Sequence, residues 1–196
     1  MDLVIYVHLF ISSENFGEGL KRALAYQRLI SDAFDAKLVV EDGRCYLTNG
    51  VHPWSENIVN RHFSECAMSG VLRFFKFITE GRFQPIYIDF NFSDGAADDE
   101  YFRVFECPVS LGQKETRLYF DPSILDYPLW QAEPELLQLH EQLALEKLQE
   151  LARFDLVGEV RRLPMKRDAG LRDPNNVPAG KALKIYEVKR ADGSTA

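Results

Sequence analysis

Between residues 86 and 92 the chain reads IYIDFNF, with Ile86, Ile88, Phe90 and Phe92 on one side and Tyr87, Asp89 and Asn91 on the other. Alternation at period two predicts a strand buried on one face. An acidic turn, SDGAADDE, follows, and EYFRVF then sets Tyr101 and Phe105 four apart on one face of a short helix. The Cys107-Pro108 step ends that helix, because a residue ahead of proline is pushed out of the α region. Leu118 and Phe120 alternate again in TRLYF before Asp121-Pro122 turns the chain away. The stretch predicts strand, short helix and strand, packed on one apolar face.

Helical spacing governs much of the rest. Residues 3–11 form an apolar run that packs inside, either as a strand or as the end of a helix. Ser12 and Ser13 are good N-cap residues, and Glu14 places a carboxylate in the first turn. Phe16, Leu20, Ala23, Leu24, Gln27, Ile30 and Phe34 then recur at three-to-four spacing, an amphipathic helix. Gly17 and Gly19 near its start either allow close packing or are tolerated in the first turn. LVVEDGRCYL predicts a hairpin, with Asp42-Gly43 supplying the positive φ of a type I′ turn.

A helix capped by Ser55 or Asn57 is expected to run to about Thr79. Its apolar stripe is Ile58/Val59, His62/Phe63, Cys66/Ala67, Gly70/Val71, Phe74 and Phe77/Ile78. Pro134 suits the first turn of a last long helix, along which Leu136, Leu139, Leu143, Leu148 and Leu151 form a leucine stripe. Together these elements predict an α+β fold: a small antiparallel or mixed sheet, the hairpin plus two further strands, packed by amphipathic helices and followed by a long C-terminal helix.

A length of 196 residues suits one domain, and 14 Phe and 8 Tyr predict an aromatic interior. Cys45, Cys66 and Cys107 sit on apolar patterns without CxxC spacing and read as reduced core thiols. No apolar run approaches the ~20 residues a membrane span needs. The opening segment lacks a basic n-region and carries Asp2, so a cytoplasmic chain without a signal peptide is expected. Charge is unevenly spread: residues 164–196 hold seven Lys/Arg against four Asp/Glu, which leaves sixteen basic and 26 acidic residues in the body, net −10. A body that acidic repels a phosphate backbone.

The order of residues around the central stretch is distinctive. Pro85, Ile88 and Phe90, an acidic turn, then Tyr101, Phe105, Cys107, Pro108 and Val109, then Leu118 and Phe120, and last Leu125, Asp126, Pro128 and Leu129 span more than forty residues. This order resembles the ligand-binding domain of AraC-type transcriptional regulators, in the branch whose N-terminal region is called an arabinose-binding domain. Two positions depart: relatives often carry His where this chain has Phe92, and an aromatic where it has Leu111. If that His touches ligand in relatives, this chain recognises something less polar.

The resemblance implies a domain that senses a small-molecule effector and forms a homodimer, spanning residues 1–163. It implies DNA contact only through a two-unit helix-turn-helix domain, for which residues 164–196 are too few. These residues read as a flexible tail in which KALKIYEVKR forms one short strand or helix, and the chain reads as an internal piece of a regulator.

The expected effector cavity lies between the strand 86–92 and the helix 58–78, where Ser69 and Gly70 leave the helix low in bulk. Candidate ligand-binding residues are Arg61, Ser69, Gly70, Phe74, Ile88, Phe90, Phe92 and Phe120, which suit an apolar or amphipathic effector. Arg61 either pairs with Glu65 one turn on or points toward a ligand carboxylate. The stripe Leu136, Leu139, Leu143, Leu148 and Leu151 either docks on its own domain or forms the dimer seam.

No metal or cofactor is expected: the four His (8, 52, 62, 140) lack ligand spacing, and no phosphate-cradling glycine loop occurs. Asp94, Asp98, Asp99 and Glu100 lack calcium-loop spacing and read as a solvated helix cap. An enzyme would have to rest on Cys66 or Cys107 with His62, but Cys66 and His62 share one apolar helix face and read as packing. A second reading, a stand-alone module that pairs with an intact regulator, stays open.

Overall fold

A computed structural model describes residues 2–31, 33–41, 43–51 and 60–162 of the chain. One compact unit comprises Met1–Arg153; of the second, Phe154–Ala196, only the residues to Arg162 are described. The expected tail, the cap at Ser55 or Asn57, the apolar pair Ile58/Val59 and Asp42 of the hairpin turn all lie outside the described residues.

The hairpin forms as its sequence dictates. Strands β1 (Phe34–Glu41) and β2 (Arg44–Val51) pair antiparallel from Phe34↔Val51 to Glu41↔Arg44, and Gly43 takes the positive φ of +74° that the turn requires. Three further strands extend the sheet: β3 (Pro85–Asp89), β4 (Val109–Ser110) and β5 (Thr116–Phe120). The order is β1-β2-β5-β3-β4, antiparallel throughout except for the parallel pair β3 and β4. The α+β class with a mixed sheet is therefore found, with one strand more than expected. β4 holds two residues, too few for periodicity to reveal.

The alternation from Ile86 to Phe92 is broken at its start. Pro85 pairs with Phe120 and Tyr87 with Tyr119, so Ile86 is an extra residue in a bulge. Ile86 is turned out and 53% exposed, whereas Ile88 and Phe90 are fully buried.

Among the described residues there are five α-helices. In α1 (Asp2–Ile11) the apolar run of residues 3–11 is helical, not extended. The Ser13 hydroxyl donates to the Leu9 carbonyl, so it belongs to the end of α1. The cap of α2 (Phe16–Ala25) is instead Asn15, whose Oδ1 accepts from the Glu18 N–H at 2.9 Å. The two glycines of α2 do allow close packing. A Cβ at Gly19 would stand 2.7 Å from the Phe10 carbonyl oxygen, and one at Gly17 2.8 Å from that of Leu125. After Ala25 the chain drops into a 3₁₀ turn, Gln27–Leu29, rather than continuing to Phe34 as one helix.

Helix α3 (Arg61–Ile78) is capped by Asn60 and buries Met68, Leu72, Phe75 and Ile78. The expected stripe is rotated: Ala67, Val71 and Phe74 do face inward, but Phe63, Cys66, Gly70 and Phe77 face solvent. Cys66 is accordingly exposed and is not a core thiol, while Cys45 and Cys107 are buried. Thr79 ends the helix by donating to the Phe75 carbonyl and accepting from the Phe83 N–H. Glu80 and Gly81 follow at positive φ. Helix α4 (Asp98–Phe105) presents its acidic first turn to solvent and buries Tyr101 and Phe105.

The main core is phenylalanine-rich, with Phe10, Phe16, Phe75, Phe83, Phe90, Phe105 and Phe120 packed between helices and sheet. A second, smaller cluster joins α1 to α5 (Pro134–Arg162): Ile5, Leu9, Leu29 and Ala144 are buried, with Leu137, Leu148 and Leu151 alongside. Glu141 of α5 accepts from Arg22 of α2 at 3.0 Å.

Candidate functional site

An apolar cavity of about 190 Å³ opens where α1, α2, α3 and the sheet meet. Its helical walls carry Tyr6 and Phe10 from α1, Leu20, Ala23 and Leu24 from α2, and Ala67, Met68, Val71, Phe74 and Phe75 from α3. The sheet supplies Ala36, Leu47, Asn49 and Thr116. The space exists because three alanines, Ala23, Ala36 and Ala67, sit on three different elements that converge there. Phe10 and Phe74 stand edge to face across the wall, with centroids 5.4 Å apart.

Four polar side chains interrupt this lining. The Ser64 hydroxyl donates to the Asn60 carbonyl at 3.3 Å, and the Thr116 hydroxyl donates to Asn91 Oδ1 at 3.2 Å. The Tyr6 hydroxyl has no hydrogen-bond partner among the described residues, and burial pushes its pKa up to about 12. The side-chain amide of Asn49 also lacks a partner among the described residues. No charged side chain lines the cavity among them.

A separate, more open groove of about 350 Å³ lies between α3 and α4, lined by Arg61, Glu65, Cys66, Ser69 and Tyr101 among others. Glu65 is its centre. Arg61 Nε lies 2.8 Å from one carboxylate oxygen, and the Tyr101 hydroxyl donates to the same oxygen at 2.6 Å. Burial pushes the Glu65 carboxyl up, but the hydrogen bonds from Arg61 and Tyr101 outweigh it and hold the group below the ordinary carboxylate range.

The expected ligand residues are therefore distributed over several places. Phe74 lines the apolar cavity. Arg61 and Ser69 line the other groove, where the Arg61 guanidinium is engaged by Glu65 and does not reach the cavity. Gly70 lines neither: it faces outward, and a Cβ there would meet nothing within 4 Å. Ile88, Phe90 and Phe120 belong to the closed core, and Phe92 stacks on Phe90 at 4.7 Å. Of the residues that line the cavity only Phe74 was expected; the polar ones, Tyr6 and Asn49 among them, were not. Asn49 was visible as the third inward position after Cys45 and Leu47, a polar residue at the end of an apolar alternation.

The leucine stripe of α5 splits in two. Leu148 and Leu151 pack with the α1 cluster, whereas Leu136, Leu139 and Leu143 are 45%, 51% and 38% exposed. On α1, Leu3 and Val4 are also exposed. The thiols of Cys45 and Cys107 are pushed up to about 11 by burial and stay protonated at neutral pH. No helix among the described residues is long and apolar enough to cross a membrane.

A fold of this kind, with a sheet covered by helices around an apolar cavity, matches a known family. Residues 2–129, from α1 to the end of the turn before α5, match the arabinose-binding domain of AraC transcription regulators, N-terminal, and the chain belongs to that family. It is similar to the ornithine utilization regulator of Pseudomonas aeruginosa, with 26% identity over 164 residues, covering 83% of this chain and 48% of that protein. The crystal structure of the transcriptional regulator CdpR from Pseudomonas aeruginosa shares the fold, with a TM-score of 0.59 at 10% identity over 69% of this chain and 44% of that one. The chain thus spans about half the length of each of these two proteins.

Proposed function

We propose that this chain senses a small molecule in the cavity beneath α1 and passes its occupancy to α5. One observation carries the reading: α1 contributes to both places. Tyr6 and Phe10 line the cavity, while Ile5 and Leu9, on the adjoining face of the same helix, pack into the cluster that holds α5. A ligand that moves or stiffens α1 therefore changes the support of α5 directly. The exposed residues Leu136, Leu139 and Leu143 give α5 an outward apolar face suited to a second copy of the chain, and a homodimer is part of the proposal. Contact with DNA is assigned to sequence outside residues 1–163, since that body is net −10.

The relative's name points to ornithine. Carried to this chain, that idea meets a cavity with no charged lining among the described residues, which suits a zwitterion with an extra ammonium group poorly.

The test is a thermal-shift screen of the purified chain against a broad small-molecule library. A ligand that binds only the folded state at a hundred times its Kd adds about 2.7 kcal/mol, a shift of several degrees. Ala67→Phe fills the cavity and should remove every such shift while the chain still folds. A screen without any hit, or hits that persist in Ala67→Phe, would overturn the reading.

A further inference from the structure

We propose that the effector is an uncharged molecule of about aromatic-ring size that carries one hydrogen-bond-accepting oxygen, and that this oxygen is bound by the Tyr6 hydroxyl. The inference rests on the sensing role of the cavity and adds the chemical class of its ligand.

Size comes first. A cavity of ~150 Å³ takes up benzene, so one of about 190 Å³ holds a ring with a short substituent, roughly eight to ten non-hydrogen atoms. Charge is decided by the walls. A carboxylate or ammonium group inside would give up water and find no counter-ion among the described residues, because Arg61 lies in the other groove and is held by Glu65.

Of the four polar wall groups, two are already engaged and two are open to a ligand. The hydroxyls of Ser64 and Thr116 already donate within the protein. The Tyr6 hydroxyl, on a half-buried ring in the cavity wall, makes no hydrogen bond among the described residues and is free to donate to a ligand acceptor. At neutral pH this phenol keeps its proton and is a donor. Asn49, whose amide is also unpartnered among the described residues, offers a second donor in the wall from the sheet side.

Titration calorimetry of the full chain with three probes tests this: acetophenone (neutral, one acceptor), toluene (neutral, none) and benzoate (charged). Acetophenone should bind about tenfold tighter than toluene, and benzoate about a hundredfold weaker than acetophenone. Tyr6→Phe, which keeps the ring, should bring acetophenone to the toluene level and leave toluene unchanged.

If benzoate binds as tightly as acetophenone and Ala67→Phe abolishes it, the class is wrong while the sensing cavity stands. If Tyr6→Phe leaves the ratio of acetophenone to toluene intact, the role of Tyr6 is wrong. If none of the three binds up to its solubility, the proposed class falls. The sensing reading is then judged separately by whether other compounds shift the wild type and not Ala67→Phe.

Discussion

The imidazole rings of His8 and His140 stack, with centroids 4.8 Å apart and planes 24° from parallel, at the junction of α1 and α5. Each ring places Nδ1 against the carbonyl four residues back, His8 on Val4 at 2.8 Å and His140 on Leu136 at 2.7 Å. Their coupling reports directly on the α1–α5 contact. A double-mutant cycle with His8→Ala and His140→Ala should give an interaction of about 0.5–1 kcal/mol in denaturant unfolding. A coupling indistinguishable from zero would mean that the contact does not persist in solution.

Two leucines on α5 should behave differently when made acidic. Leu148 packs with the α1 cluster, so Leu148→Glu buries a charge and should destabilise the fold by about 2 kcal/mol or more. Leu143 is exposed, so Leu143→Glu should leave stability nearly unchanged and weaken self-association. Sedimentation and unfolding of the two variants separate the effects. Equal loss of stability in both would place Leu143 in the core instead.

Gly19→Ala sets two effects against each other. Helix propensity favours alanine by up to ~1 kcal/mol. The added Cβ would stand 2.7 Å from the Phe10 carbonyl oxygen, a backbone atom that cannot step aside without moving α1. Overpacking costs about 1–3 kcal/mol, so the variant should be destabilised on balance, with a lower midpoint in urea. Because Phe10 lines the cavity, ligand-induced thermal shifts should shrink as well.

The Glu65 network predicts an acid-dependent loss of stability. The folded-state pKa of Glu65 lies below its unfolded value, burial being outweighed by hydrogen bonds from Arg61 and Tyr101. The stability this contributes is fully present above the ordinary Glu range and is lost as pH falls through the lower folded-state value. Tyr101→Phe removes one donor and should narrow the gap. A Tm profile from neutral pH to pH 3 should then fall less steeply in Tyr101→Phe than in the wild type. Parallel profiles would show that the hydroxyl does not hold Glu65 in solution.

Phe16 is fully buried and meets Phe75, Phe83 and Phe120 at centroid distances of 4.9, 5.6 and 6.5 Å. Phe16→Ala should cost about 3–5 kcal/mol, enough to unfold much of a marginal domain at 37 °C. Chemical denaturation monitored by fluorescence measures it.

What the sequence determined by itself is what depends on neighbours along the chain. The β1–β2 hairpin with its turn glycine Gly43, the presence of a helix after Ser13 (though not its Asn15 cap or its end at Ala25), the helix from Pro134 and the strand TRLYF follow from local spacing and turn chemistry. The order of residues from Pro85 to Leu129 was enough to place the chain in its family.

Tertiary structure decided the rest, because it depends on which elements meet. The bulge at Ile86 arises from pairing with Phe120 and Tyr119, more than thirty residues away. The rotation of α3 that turns Gly70 outward and Ala67 inward is chosen by the sheet it covers, since adjacent apolar residues make either phase possible on periodicity alone. The leucines of α5 look equivalent in sequence and are sorted only by where α1 lies.

The cavity is the extreme case. Its walls run from Tyr6 to Thr116 and come from α1, α2, β1, β2, α3 and β5, so no window of sequence contains it. A void is what remains when distant side chains have packed, and nothing local specifies where they leave a gap.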